Sequence, residues 1–263
     1  MAVQRPNLRA EWALWQQGSL RVAGVDEVGM GSLCGPVVAA AVVVRTNCKR
    51  IDGVRDSKML SARQRQRVVD EITRRCVGVG IGAASVAEID RINIYHASHL
   101  AMRRALRRVM PYDHVLVDGR RIAGFDDVGP HTTIVDGDAT SYAIACASVI
   151  AKVTRDRLLT LLAARHPGYG WERNAGYSTR EHLDAIRTLG VTPHHRRSFA
   201  PARVALGEQG ELFDELIPQP LQKRASTAAD RPQAGQRRST GMIGGPTRST
   251  FQRRRIGSPT VRR

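Results

Sequence analysis

Four acidic residues carry the chemical signal of this chain. Asp26 and Glu27 stand in "RVAGVDEV", Asp118 in "HVLVDG" and Asp138 in "HTTIVDGD". Each follows a short apolar run of the kind that forms a buried strand. Acids at the ends of neighbouring strands converge on one patch, and clustered carboxylates repel one another unless cations sit among them. Mg²⁺ or Mn²⁺, hard and oxygen-seeking, is the natural occupant. Two such ions roughly 4 Å apart activate water and stabilise the leaving oxygen in phosphodiester hydrolysis. Taken singly, each acid has a plainer reading. Asp-Gly after a strand makes a turn, and Glu27 suits the solvent side of a strand. The case rests on the set.

Between the first two apolar runs lies "GMGSLCG", with Gly29, Gly31 and Gly35. Its G-x-G-x-x-x-G spacing misses the dinucleotide fingerprint, and Pro36 with a β-branched run follows where a helix should begin. The acids just upstream would also repel a pyrophosphate. No G-x-x-x-x-G-K-[ST] occurs, so a P-loop is excluded. Ser57 and Lys58 in "DSKML" could contact phosphate, or simply turn the chain into a helix. His194, His195, Arg196 and Arg197 read as a solvated or phosphate-contacting face. Lys152 and Arg155–Asp156 read as local pairs on a helix, and Cys34 and Cys146 as small core residues.

Five strands must position the acids: "RVAGVDEV", "PVVAAAVVVR", "CVGVGIGAAS", "HVLVDG" and "HTTIVDG". Ser61 and Gln64 form a capping box that opens a helix ending near Arg75. A second helix is predicted over residues 87–109. A third, over 142–164, is apolar nearly all round at its start and should be deeply buried. Ser178 and Glu181 frame the start of another, which Gly190 should end. Strands first, then interleaved helices, define an α/β sheet with a helical C-terminal part.

The chain has 263 residues, 41 Lys+Arg against 24 Asp+Glu, and a formal net charge of +17. Such a balance favours a polyanionic partner, nucleic acid first, although ribosomal association or a membrane surface also fits. No run approaches the ~18 apolar residues of a membrane span, and the N-terminus lacks the apolar centre of a secretion signal. The four cysteines form no C-x-x-C pair, which argues against zinc and against a disulfide framework. A reduced, cytoplasmic protein is expected. Composition changes near residue 207. Residues 217–263 hold eleven Lys/Arg, a single acid and many Pro, Gly, Ser and Thr. This stretch cannot bury enough apolar surface to order itself. It is either a basic arm adding non-specific nucleic-acid affinity or a solvated extension.

The blocks "GVDEVGMGSLCGPVVAAAVV", "DSKMLS", "IDRINIYHAS", "VLVDG", "GDATSYAIACASVIAKVTRDR", "HPGYGWERNAGYSTREHL" and "HHRRSFAP" together resemble bacterial ribonuclease HII, in that family's order, over roughly residues 20–206. The resemblance implies a ribonuclease H-like mixed sheet flanked by helices. It implies a catalytic domain over 20–206; residues 1–19 then form an N-terminal extension, and 207–263, outside the resemblance, are read from composition as a basic, disordered tail. It further implies cleavage of RNA in RNA–DNA hybrids and nicking 5′ of single ribonucleotides in duplex DNA, leaving 3′-hydroxyl and 5′-phosphate ends. Asp26, Glu27, Asp118 and Asp138 match the family's four acids and would hold two Mg²⁺ or Mn²⁺ ions in the substrate complex. Gly29-Met30-Gly31 matches the segment whose backbone reads the ribose 2′-hydroxyl, the group that separates RNA from DNA. Tyr177 matches the tyrosine beside the ribonucleotide junction. The chain is expected to act as a monomer.

Three positions depart from the family pattern. Met30 replaces the usual Arg, Asp136 the usual Lys before Gly137-Asp138, and Ala175 the usual Lys before Gly176-Tyr177. Weaker substrate binding, or a shifted preference between hybrid and single-ribonucleotide substrates, is expected.

Overall fold

The structure, a computed structural model, describes residues 5–54, 60–120 and 124–207. Ser57, Lys58 and the stretch from 208 to 263 lie outside the described residues. All five predicted strands form: β1 (Val22–Val28), β2 (Val37–Val43), β3 (Gly78–Ala84), β4 (His114–Asp118) and β5 (His131–Ile134). They make one mixed sheet in the order β3-β2-β1-β4-β5. β1, β2 and β3 pair antiparallel, whereas β4 and β5 continue parallel from β1.

Strand alternation assigns the two faces. Val22, Ala40, Val42 and Leu116 point to one side, against α2 (Ala62–Arg75) and α5 (Tyr142–Arg165). Ala23, Val25, Ala39, Val115 and Val117 point to the other, against α3 (Val86–Arg107). β2 is buried at every residue, as expected for a strand covered on both faces. A third, smaller core joins Leu33, Leu159, Trp171, Leu183 and Ile186 under the C-terminal helices. These are α6 (Trp171–Asn174), α7 (Arg180–Leu189) and α8 (Ala200–Ala205).

The capping box at Ser61 and Gln64 forms, and a second one, Ser85 with Glu88, opens α3. The start of α7 differs from expectation by one residue. Thr179, not Ser178, is the N-cap, its hydroxyl accepting from the His182 N–H. The Thr179 N–H donates to the Tyr177 carbonyl at 2.8 Å, and this tight turn delays helical geometry until Arg180.

Helix α1 (Arg9–Gln16) falls within residues 1–19 and packs on the core through Trp15. Its buried Glu11 accepts from Ser141 Oγ at 2.7 Å and from the Ala143 N–H at 2.8 Å. A carboxylate at the N-terminus of α5 meets unpaired donors and the positive end of the helix dipole. The segment ahead of β1 thus clamps the start of the longest helix.

Candidate active site

The sheet brings the predicted acids together by register. β1 and β4 are adjacent and parallel, with Val25 opposite Val117. One residue further, Asp26 and Asp118 stand side by side at the carboxyl ends of two central strands. Asp118 pairs in turn with Ile134 at the end of β5. The chain then turns through Asp136 into the short α4 (Gly137–Thr140), whose first turn carries Asp138. The Gly137 N–H donates to Asp118 Oδ1 at 2.7 Å, tying the turn to the strand end. Asp26, Glu27, Asp118, Asp136 and Asp138 line one cavity of about 460 Å³.

A glycine decides how closely α5 approaches this patch. A Cβ on Gly24 would lie 2.2 Å from the carbonyl carbon of Ala143, so only glycine lets the start of α5 rest directly on β1. That approach brings Ser148 into a hydrogen bond with Asp26.

The acids are held under mutual strain. Burial, then the charges of Glu27 and Asp118, raise Asp26 well above the usual carboxylate range, although the Ser148 bond pulls the other way. Glu27 is pushed up to about 7, by burial first and then by Asp118. Asp118 is raised by burial, with Asp138 adding to it against the Gly137 N–H bond. Cations relieve such a cluster, and an all-carboxylate donor set suits hard divalent ions. Among the described residues no three candidate ligand groups already stand at the spacing of a closed metal site.

Tyr177 also lines the cavity and is 38% exposed. Its carbonyl meets Nδ1 of the buried His182 at 3.0 Å. Gly29 adopts φ +94°, and a Cβ there would lie 2.1 Å from Arg155 Nε. Its lack of a side chain is thus required from beneath, by the protein itself. Gly31 is open, since a Cβ there would meet only Tyr177 Cε1, at 4.0 Å. Met30 is exposed between them. Asp136 and Ala175, two of the departures from the family pattern, both hold left-handed backbone (φ 52° and 48°).

Two cavity residues escaped the sequence reading, Ser148 and Arg65, and Lys152, read only as a local helix pair, joins them there. Lys152 Nζ pairs with Asp156 at 2.8 Å, and Arg65 approaches the same carboxylate at 3.9 Å. The signal was available, since 148, 152 and 156 recur every four residues and mark one helix stripe. Two expectations are corrected. Of the local pairing expected on this helix, Lys152–Asp156 forms, whereas Arg155 turns inward and is fully buried. The cluster at 194–197 is not a solvated face, because His195 and Arg196 are both 0% exposed. His195 sits among Tyr169, Trp171 and His182, and burial followed by the His182 charge lowers it to about 3. Aromatic packing there outweighs the hydration of an imidazole.

A five-stranded mixed sheet, helices on both faces and acids at the ends of its central strands define a ribonuclease H-like protein. The ribonuclease HII family profile matches residues 23–202. Ribonuclease HII of Thermosynechococcus vestitus is 56% identical over 191 residues, covering 72% of this chain and 88% of the relative. Among solved structures, ribonuclease H2 from Pyrococcus horikoshii aligns with a TM-score of 0.61 at 25% identity, over 74% of this chain and 99% of that one. Bst-RNase HIII in complex with Mn²⁺ aligns with a TM-score of 0.56 at 20% identity, over 74% of this chain and 72% of that one. The chain belongs to the ribonuclease HII family. Its activity is that of a type 2 ribonuclease H endonuclease, acting on RNA in RNA–DNA hybrids. The family implies a divalent metal ion. Among the described residues no helix is long and apolar enough to cross a membrane.

Proposed function

We propose that Asp26, Glu27, Asp118 and Asp138 are the metal-holding and catalytic residues, and that the chain nicks 5′ of a single ribonucleotide in duplex DNA as well as cutting hybrids. The carrying observation is that these four acids line one cavity and Asp26, Glu27 and Asp118 are raised by burial and by neighbouring acids. A pair of Mg²⁺ or Mn²⁺ ions, when bound, supplies an activated water and charge stabilisation at the leaving oxygen, giving 3′-hydroxyl and 5′-phosphate ends. Mn²⁺ binding by Bst-RNase HIII, which shares the fold, agrees with this choice. A cavity of about 460 Å³ leaves room for ions that keep water and substrate phosphate among their ligands.

The protein groups have separable tasks. Ser148 orients Asp26 from α5, and the Gly137 N–H orients Asp118. Lys152 and Arg65, held on Asp156 at the rim, offer cations to phosphates flanking the cut. The backbone of Gly29-Met30-Gly31 reads the 2′-hydroxyl, and Tyr177 packs on the sugar at the junction. Ser57 and Lys58 add phosphate contacts. The chain works as a monomer in the cytoplasm, a reducing compartment that suits its four free cysteines.

The test is a duplex carrying one lone ribonucleotide, incubated with Mg²⁺ or Mn²⁺. Nicking on its 5′ side, with a product end that a polymerase extends, is expected. Cleavage of hybrids alone would remove the single-ribonucleotide reading.

A further inference from the structure

Two guanidiniums lie beneath the Gly29–Pro36 loop, and among the described residues neither is hydrogen-bonded to an acid. Arg155 and Arg196 are both fully buried. Arg155 donates to the carbonyls of Pro36, Ala175 and Cys34 at 3.1, 2.8 and 3.0 Å, and to Ser32 Oγ at 2.7 Å. Arg196 donates to the carbonyls of Gly35 and Met30 at 3.1 and 2.8 Å, and its Nη2 is buried without a partner. Among the described residues no carboxylate hydrogen-bonds either group. Asp156 is engaged by Lys152, and Asp90 by Ser198 and the Arg197 N–H. Burial, then the Arg155 charge, lowers Arg196 to about 10, so it remains protonated at neutral pH. Asp156 and Asp90 act on the two guanidiniums only at a distance; buried charges are ordinarily paired directly, and two without a bonded acid need a reason.

Both groups sit one backbone layer below the surface. Arg155 Cζ lies 5.9 Å from the Tyr177 ring centre, under a loop whose Met30 is 36% exposed. Their bonds draw the carbonyls of Met30, Cys34, Gly35, Pro36 and Ala175 inward. Among the described residues no backbone acceptor takes the N–H of Gly29, Met30 or Gly31. Successive unpaired N–H groups above fixed positive charge make an anion-binding arrangement.

We propose that Arg155 and Arg196 are positioning residues that supply, from beneath, the positive potential with which the Gly29–Gly31 N–H groups hold a phosphate of the bound nucleic acid next to the 2′-hydroxyl that this backbone reads. The surface itself has none to offer at Met30 and Ala175. The proposal rests on the reading of this loop as the substrate face.

The test uses the full chain, with Ca²⁺ holding an RNA–DNA hybrid uncut, and measures affinity over a NaCl series beside the thermal midpoint. R155K and R196K should bind within about 3-fold of the wild type, and R155Q and R196Q about 10-fold more weakly. The slope of log affinity on log salt should not change, because a buried guanidinium releases no counterion. Folded Gln variants that bind as the Lys variants do would overturn the proposal. Should the Gln variants unfold, the wild type decides. Inorganic phosphate, against chloride at equal ionic strength, should saturably shift the Gly29, Met30 and Gly31 amide resonances, and an absence of shifts would overturn it. Tyr177→Ala and Gly31→Val separate this from the parent reading. If neither weakens hybrid binding, the loop is not the substrate face. If they do while the Gln variants do not, only the charge assignment fails.

Discussion

Glu27 carries a measurable consequence of the crowded acids. Its carboxyl, ordinarily near 4.5, is pushed up to about 7. A carboxyl raised by folding stabilises the folded state below its unfolded pKa, and that contribution is lost as pH rises through the folded value. The full effect is roughly 3 kcal/mol. The metal-free protein should therefore lose thermal stability between pH 5 and pH 8, Glu27→Gln should flatten that fall, and Mg²⁺ should restore stability at pH 8. A Glu27→Gln profile parallel to the wild type would contradict the assignment. Met30 and Asp136 leave the proposed substrate face short of cations, and Asp136 adds an acid to the cavity. Met30→Arg should lower the hybrid KM by about 3- to 10-fold with little change in kcat, as expected for one added phosphate contact. An unchanged KM and substrate preference would show that the lost cation does not limit binding.

The elements act on the site through close approach, and Gly24 is where this is sharpest. Gly24→Val would drive a side chain into the Ala143 backbone, at a cost of about 3 kcal/mol, and would shift Ser148 away from Asp26. A lower melting temperature together with reduced kcat is expected. Unchanged stability would mean that α5 does not rest on β1 as described. All five strands and the α2 capping box were legible in the sequence, because alternation, turn residues and S-x-x-Q spacing act locally. The short helices α1, α4, α6 and α8 were not, since one or two turns carry too little periodicity to register. Thr179 and Ser178 offer the same hydroxyl at adjacent positions, and the tertiary turn at Tyr177 chooses between them. Asp26, Glu27 and Asp118 could be singled out because they stand late in apolar strands, whereas Asp138 falls in α4 beyond β5, where the expected strand end does not reach. The burial of Arg155, His195 and Arg196 was missed because residue type argues for exposure, and only packing of distant loops reverses it.

At the scale of the whole chain, a net charge of +17 stands against a cavity lined by five acids. Residues 217–263 supply +10 of the net +17, and they lie outside the described residues. Their removal should weaken hybrid binding at low salt and flatten its salt dependence, while leaving kcat at saturating substrate unchanged. An identical salt slope would make this stretch a bystander. The central claim is that acids from β1, β4 and α4 act together, through bound cations, at the scissile phosphate. Its most direct test is the single-turnover cleavage rate of Asp118→Asn, with saturating Mg²⁺ and a hybrid substrate that the variant still binds. A fall on the order of 1,000-fold is predicted, comparable to the loss of a principal charge-stabilising group elsewhere. A rate within a few-fold of the wild type would contradict the account.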